Sequence, residues 1–309
     1  MPSGVSVGLK AGVDLETSPN GDEWPAGPPG GKIGETTAVT VGLIHPGEMG
    51  AAVGATLRAA GETVVWASTG RSAATRQRAE RAGLEDVGSV RALCRRCDVL
   101  ICVCPPHAAV EVAAALPAFS GIYLDANAVS PGTARTIAGQ VGRYVDGGIV
   151  GPPPHGQGTT RLYLSGPEAG AVATLLAGTL LEATVVSDQP GAASALKMTY
   201  AAWTKGTAAL LLAIRSVARV DGVEDALLRE WRISLPDLEE QSAAAARAAL
   251  RKGWRWSGEM EEIAQTFAAA GLPDGFHLAA AEIYRRAGHE PVGEGDLGHL
   301  LAALAARTS

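Results

Sequence analysis

Basic residues are in deficit. The 309-residue chain carries 26 Lys and Arg against 32 Asp and Glu, a net charge of −6. It therefore offers no basic face of the kind a phosphate backbone requires, and nucleic acid is excluded as a partner. Aromatic residues make up only 5%, so a core must come from alanine, leucine, valine and glycine. No apolar run approaches the roughly 20 residues of a membrane-spanning helix. The chain does not start with a charged segment followed by an apolar one, so no secretory signal is read there and a cytosolic location is expected. Cysteines number four. Cys94 and Cys97 have the C-x-x-C spacing of a metal or redox pair. Cys102 and Cys104 lie in the apolar run "DVLICVC", where cysteine acts as a small buried side chain. No metal site is expected from the four.

The length is enough for about two domains. Residues 1–36 are rich in Gly, Pro and acidic residues without periodicity, and read as a disordered leader. From residue 37 short apolar runs alternate with helical patterns: "AVTVGLI", "ETVVWAS", "DVLICVC", "GIYLDA", "RYVDGGIV", "TRLYLSG" and "EATVVS" read as strands. Such alternation predicts a mostly parallel sheet covered on both faces, an α/β Rossmann-type domain over 37–188. Strands then stop. "PGAASALKMTYAAWTKGTAALLLAIRSVARV" reads as one interdomain helix of about 30 residues. Helices follow to the end, with breaks at Pro236, "GLPDG" and "GHEPVGEG". The second region, 189–309, reads as an all-α domain.

"VGLIHPGEMGAAVG", residues 41–54, has the form of a strand, a tight turn and a helix. In a dinucleotide cradle the first glycine of G-x-G-x-x-G makes the turn, the second lets the pyrophosphate approach, and the third lets helix and strand pack closely. Here His45 stands first, while Gly47 and Gly50 keep the other two places. Pro46 fixes its own φ and pushes His45 toward an extended backbone, so the turn forms without a left-handed residue. His45, Pro46, Gly47, Glu48 and Met49 then face the coenzyme phosphates, with the N–H groups of the helix start as donors. The second strand ends in "WASTGRSAATRQR", which carries no acid for a ribose hydroxyl. Ser68, Thr69, Arg71 and Ser72, with Arg76 a turn later, suit a 2′-phosphate instead, so NADP(H) is expected. The loops "CPPH" and "DANAVSP" also fall at strand ends, placing Cys104, Pro105, Pro106 and Asn127 against the coenzyme. Ser130 and Pro131 read as an N-cap and first helical residue.

Taken together, "GLIHPGEMG", "DVLICVCPP", "DGGIVGPPP" and "GAASALKMTYAAWTKG" resemble the β-hydroxyacid dehydrogenase and 6-phosphogluconate dehydrogenase superfamily, which also contains the imine reductases. The resemblance spans about 37–309. Within the superfamily the chain looks most like a branch with a helical C-terminal domain of unassigned function, of which "GEMEEIAQTFAAAGLPDGFHLAAAEIYRR" is typical. The resemblance implies that Lys197, on the long helix, is the general acid/base, and that the helices pack between two subunits of a homodimer. By helical geometry Tyr200 and Thr204 share nearly the face of Lys197. Trp203, Leu210, Leu211 and Ile214 fall on other faces and are expected in the core. Lys205 lies about 80° from Lys197 on the helical wheel, either near the site or in solvent.

Two positions depart from the hydroxyacid dehydrogenase pattern. Ala201 stands where an asparagine holds the substrate hydroxyl, and Val150 where a serine helps bind a carboxylate. Gly148 and Gly151 keep their backbone N–H groups. A substrate less polar than a small hydroxy acid is therefore expected, lined by Gly148, Val150, Gly151, Thr204, Trp254 and Trp256. Trp254 and Trp256 serve equally well as dimer core. His277 reads as a core or surface residue. Three functions stay open: an NADP-dependent dehydrogenase using Lys197, an imine reductase with Tyr200 as proton donor, and a non-catalytic NADPH-binding protein.

Overall fold

A computed structural model describes residues 39–287 and 297–305; the leader, and the break at "GHEPVGEG", lie outside the described residues. Eight strands form one sheet in the order β3-β2-β1-β4-β5-β6-β7-β8. They are β1 (Thr40–Leu43), β2 (Thr63–Trp66), β3 (Glu85–Asp86), β4 (Val99–Cys102), β5 (Ile122–Asp125), β6 (Tyr144–Val150), β7 (Thr160–Ser165) and β8 (Leu181–Ser187). The first six are mutually parallel, β7 is antiparallel to β6, and β8 runs parallel to β7. Between them run α1 (Glu48–Ala59), α2 (Ala73–Arg81), α3 (Val90–Arg96), α4 (Ala109–Ala114), α5 (Pro131–Ala138) and α6 (Ala169–Leu175).

β4, β5 and β6 are buried at every residue, which is why they read as unbroken apolar runs rather than alternating ones. Two cores lie on opposite faces of the sheet, one around Leu43, Leu57, Ile101 and Leu164, the other around Val65, Leu100, Tyr123 and Ile137. Helix ends differ from expectation by a few residues. A helix read from the sequence over 107–117 is a 3-10 turn (Pro106–Ala108) followed by α4, and one read over 131–142 stops at Ala138, before Gly139.

Beyond the sheet the chain is helical: α7 (Ala192–Val220), α8 (Glu224–Ser234), α9 (Leu238–Ala269), α10 (Gly275–Arg286) and α11 (Leu297–Ala305). Helix α7 is the expected long connector, with 29 residues. Its first turns lie on β6, and its later turns pack against α9, α10 and α11 around Met198, Leu212, Met260, Ile263, Tyr284 and Leu301. One expectation fails here. Trp203 is 73% exposed and Leu210 43% exposed, while Leu211 and Ile214 are half-buried. The buried face of α7 runs instead through Met198, Ala201, Gly206, Ala209 and Leu212.

Candidate functional site

The turn after β1 is built as its residues demand. Ile44 N–H donates to the Ile101 carbonyl at 3.1 Å, and Gly47 N–H turns back to the His45 carbonyl at 2.9 Å. Pro46 is buried beneath. Gly47 caps α1 with φ −68° and ψ −168°, an extended backbone, so no left-handed residue is used. A Cβ on Gly50 would overlap the His45 carbonyl oxygen, whereas a Cβ on Gly47 would meet nothing within 4 Å. Gly50 thus seats the helix, and Gly47 opens its N-terminus to a ligand. No side chain caps α1, leaving its first N–H groups directed at that opening. Glu48 is exposed and pairs with Arg255 of α9 at 3.5 Å; Met49 is half-buried against the sheet core.

At the tip of β2, Ser72 caps α2 by accepting from Thr75 N–H at 3.2 Å. Thr69 is exposed and Ser68 buried. An acid does reach this tip, contrary to the sequence reading: Asp86, from β3, accepts from Ser68 N–H at 3.2 Å and Gly88 N–H at 2.8 Å. Its Oδ1 is engaged by the backbone and holds the loop. Arg71 is half-buried, and its Nε is buried without a hydrogen-bond partner. Burial lowers the Arg71 pKa, while the Cys102 and Cys104 thiols beside it oppose that shift. An unpartnered guanidinium N–H inside a crevice fits an incoming anion.

Asn127, expected to reach the nicotinamide end, is buried and its side chain is committed inside the protein. Its Oδ1 accepts from Cys104 N–H at 2.5 Å, and its Nδ2 donates to Asp125 and, at 3.5 Å, to Cys102 Sγ. It shapes the Cys104–Pro105–Pro106 wall rather than lining it. Pro105 is exposed and Pro106 half-buried. Cys102 and Cys104 share an S–H···S contact of 3.7 Å; that bond, then burial, raises the Cys104 pKa. A His45 ring nitrogen and the two sulfurs lie within 4.8 Å of one another, the one group among the described residues that could hold a metal. Cys94 and Cys97 are free thiols outside that group, and burial pushes the Cys97 pKa up to about 12.

The start of α7 is pinned by Asp146 of β6. One Asp146 oxygen accepts from Gly191 N–H at 3.0 Å, Ser194 N–H at 2.9 Å and Ser165 Oγ at 2.9 Å, and the other accepts from Ser194 Oγ at 2.6 Å. A buried carboxylate at a helix N-terminus satisfies the orphan donors and the dipole together. Next to it, Gly148 lets α7 press on the sheet: a Cβ there would lie 2.8 Å from the Ala193 carbonyl oxygen and 2.9 Å from Lys197 Cβ. Gly151 has φ +120°, and a Cβ there would strike the Thr159 carbonyl. Val150, expected against substrate, is buried within β6.

Lys197 does not stand alone. Its Nζ lies 3.4 Å from Glu259 Oε1, and the Nζ of Lys205 lies 2.8 Å from the same oxygen. All three side chains are 10–15% exposed. Burial would raise the Glu259 pKa, but Lys197 and Lys205 hold it below its ordinary value. Burial lowers the Lys205 pKa, with Glu259 opposing. Lys205 is therefore part of the cluster and not a solvent lysine. Its ammonium lies 5.8 Å from the Trp256 ring centre, and Trp256 meets Tyr284 edge-on at 5.2 Å. Tyr200 (48% exposed) and Thr204 follow on the open side of α7, while Trp254 is 44% exposed near Arg255. His277 is buried between Phe267 and Phe276 with Nδ1 unpartnered, and burial lowers its pKa.

Sequence reasoning missed Glu259, Glu262 and Asp146. Glu262 accepts from Ser130 N–H at 2.7 Å and Thr133 Oγ1 at 2.9 Å, so α9 closes the start of α5 over the N-cap that Ser130 itself makes. A signal for Glu259 existed: it lies three residues after Trp256 and four before Ile263, on the face of α9 that also carries Met260. Glu261, two residues on, is exposed and pairs with Arg285 at 3.3 Å.

Comparison with known proteins agrees with this architecture. A family described as a domain of unknown function, DUF1932, matches residues 218–287. An uncharacterised 28.5-kDa protein in the 7S RNA 5′ region of Methanothermus fervidus is 32% identical over 163 residues, 52% of this chain and 63% of that one. The match thus spans less than two thirds of that relative. The structure of a conserved hypothetical protein from Sinorhizobium meliloti is 26% identical, covering 87% of this chain and 97% of its own, with TM-score 0.64. A 3-hydroxyisobutyrate dehydrogenase from Mycobacterium tuberculosis, solved with L-serine, is similar at 17% identity over 87% and 100% of the two chains, with TM-score 0.62. A reductive aminase from Aspergillus terreus, solved with NADPH and ethyl levulinate, is similar at 21% identity over 86% and 99%, with TM-score 0.52.

Proposed function

We propose that this chain is a β-hydroxyacid dehydrogenase-type protein of the imine-reductase-related kind, and an NADP(H)-dependent oxidoreductase of hydroxyl or carbonyl groups. The observation that carries the reading is Lys197, set on α7 beside Gly148 of β6 and ion-paired to Glu259. Three features suit a dinucleotide: an uncapped α1, an open Gly47 and an unpartnered Arg71 Nε. A nicotinamide held there would supply the hydride chemistry at the substrate carbon. Lys197 gives a proton to the substrate oxygen in reduction, or takes it in oxidation, so that charge balances across the step. Asp146 and Gly148 fix where that ammonium stands, and Glu259 orients it. Arg71 and Ser72 would hold the 2′-phosphate.

A second reading rests on Tyr200, which is half-exposed one turn beyond Lys197 on the same helix. In an imine reductase its hydroxyl would suffice as proton donor. A second copy of the chain is the proposed partner. Tyr200, Trp203, Leu210 and Val217 are 48%, 73%, 43% and 62% exposed and follow one another at three- and seven-residue steps along α7, an apolar seam of the spacing that a partner helix covers. Among the described residues no helix is long and apolar enough to cross a membrane.

The test mixes the protein with NADPH and panels of ketones, aldehydes and cyclic imines and follows nicotinamide absorbance. Carbonyl turnover lost in Lys197→Ala is the expected result; imine turnover by that variant at the wild-type rate supports Tyr200 instead. Tight NADPH binding with no turnover on any panel refutes both and leaves a coenzyme-binding protein. Arg71→Ala is expected to weaken NADPH and leave NADH nearly unchanged.

A further inference from the structure

Three side chains of metal-ligand type meet where β1 and β4 end. A His45 ring nitrogen and the sulfurs of Cys102 and Cys104 lie within 4.8 Å of one another. The two sulfurs are 3.7 Å apart. Two thiolates on one tetrahedral zinc, each at about 2.3 Å from it, stand roughly 3.8 Å apart, so the pair already has that spacing. His45 Nδ1 is buried with no hydrogen-bond partner, and a bound ion is one way such an atom is satisfied. Cys102 is buried, whereas His45 and Cys104 are half-buried, and their side of the group is the way in for an ion. The surroundings suit a charged sulfur. Asn127 Nδ2 donates to Cys102 Sγ at 3.5 Å. The Tyr123 hydroxyl, from the adjacent strand β5, acts on Cys102 and is buried without a partner of its own. Arg71 brings its positive charge to bear on both sulfurs. Donors and cations of this kind stabilise the thiolate that a metal requires. Asp125 is taken by Asn127 and the Tyr144 hydroxyl and does not join the set.

We infer that His45, Cys102 and Cys104 form a site for a thiophilic divalent cation, Zn²⁺ by its ligand chemistry, with a fourth coordination position open. Two sulfurs and an imidazole suit zinc, whereas Mg²⁺ and Ca²⁺ take oxygen. Three protein ligands with one place left over is a known zinc arrangement. The ion ties the turn after β1 to the end of β4, fixing His45 from its side chain as Pro46 fixes it from the backbone. The expectation of no metal rested on the cysteines alone. Cys94 and Cys97, with the more suggestive spacing, stay outside the group, and Cys102 and Cys104 gain their third ligand only because the parallel pairing of β1 with β4 brings the two strand ends together. The site does not depend on the oxidoreductase reading.

The full chain, reduced and stripped of metal by a chelator, is titrated with Co²⁺ and then with Zn²⁺. A thiolate-to-cobalt charge-transfer band is expected, saturating at one ion per chain and lost as Zn²⁺ displaces cobalt. Cys104→Ser should weaken Zn²⁺ by more than about 100-fold, beyond the roughly 10- to 100-fold that loss of an outer partner costs. Tyr123→Phe removes such an outer partner and should fall within the smaller range. Replacing the other pair, as Cys94→Ser with Cys97→Ser, should leave the band unchanged. No saturable band in the unaltered chain overturns the inference, and so does a band that survives Cys104→Ser but is lost with Cys94 and Cys97. Iodoacetamide labelling mapped by mass spectrometry decides the matter even if a variant fails to fold. Zn²⁺ should abolish labelling of Cys104 and leave that of Cys94; unchanged Cys104 labelling overturns the site. A separate NADPH titration by nicotinamide fluorescence keeps the two readings apart. Zn²⁺ uptake by a chain that does not bind NADPH sinks the coenzyme reading and leaves the metal site, and NADPH binding without a cobalt band does the reverse.

Discussion

Gly148→Ala adds one methyl group at the contact on which the position of Lys197 depends. The new Cβ would sit 2.8 Å from the Ala193 carbonyl oxygen and 2.9 Å from Lys197 Cβ. Both are backbone or first side-chain atoms, so neither can rotate away. Ordinary contact needs about 3.5 Å, so α7 must withdraw from β6 by roughly half an ångström. The helix start is tied down by the Asp146 bonds to Gly191, Ser194 and Ser165, so the retreat strains the best-anchored part of the helix. Overpacking of this kind costs about 1–3 kcal/mol, which for a chain of this size lowers Tm by about 2–12 °C. Lys197 moves with the helix, and a misplacement approaching an ångström costs up to about 100-fold in rate. Thermal melts by circular dichroism, with kcat/KM on whichever substrate the NADPH panel yields, measure both effects. Gly170→Ala is the control: it lies inside α6 with nothing within 4 Å of the added Cβ, and it should be neutral or raise stability by about 0.4–1 kcal/mol. If Gly148→Ala melts within about 1 °C of the wild type, the close packing of α7 on β6 is not what holds Lys197, and the reasoning fails.

Gly47→Val should leave the melt nearly unchanged, since the added Cβ meets nothing, yet reduce NADPH affinity severely in a fluorescence titration; undiminished binding would place the pyrophosphate elsewhere. Removing the Asp146 carboxylate as Asp146→Ala strands four donors in the interior and should cost at least about 3 kcal/mol, read from the urea midpoint. His277 is buried and its pKa is lowered, so below its ordinary value of about 6.5 the unfolded chain takes up a proton that the folded chain refuses. Stability is fully present above that pH and declines as pH falls toward the folded value; His277→Phe should flatten the drop in urea midpoint between about pH 7.5 and 5.5. Trp203→Glu places a charge in the exposed seam of α7 and should shift sedimentation from dimer to monomer; an unchanged mass would move the interface to another face.

Much of the frame was legible because it is local. Buried parallel strands announce themselves as apolar runs, and the length of α7 follows from a stretch without breakers. The turn at His45–Pro46 needs only the φ restriction of proline and the small size of Gly50, both properties of single residues. Ser72 and Ser130 were readable as caps for the same reason. What failed was the assignment of faces on α7: Trp203 and Leu210 were expected inside by type, but the buried face runs through Met198, Ala201, Gly206, Ala209 and Leu212, and which face is covered is set by the helices that pack on it. Arg71 was legible as a residue, whereas its turn toward the Cys102–Cys104 wall was not.

By itself, then, the order of residues determined the sheet, the turn at His45–Pro46 and the placing of Lys197 on a connecting helix, since each depends on neighbours within a turn or a strand. Tertiary structure alone decided what surrounds that lysine. Glu259 arrives from another helix, and Lys205, 54 residues from it, joins the same oxygen; Asp146 reaches Ser194 across 48 residues. Electrostatic partners at such separations are chosen by how helices pack, and packing is a property of the whole chain.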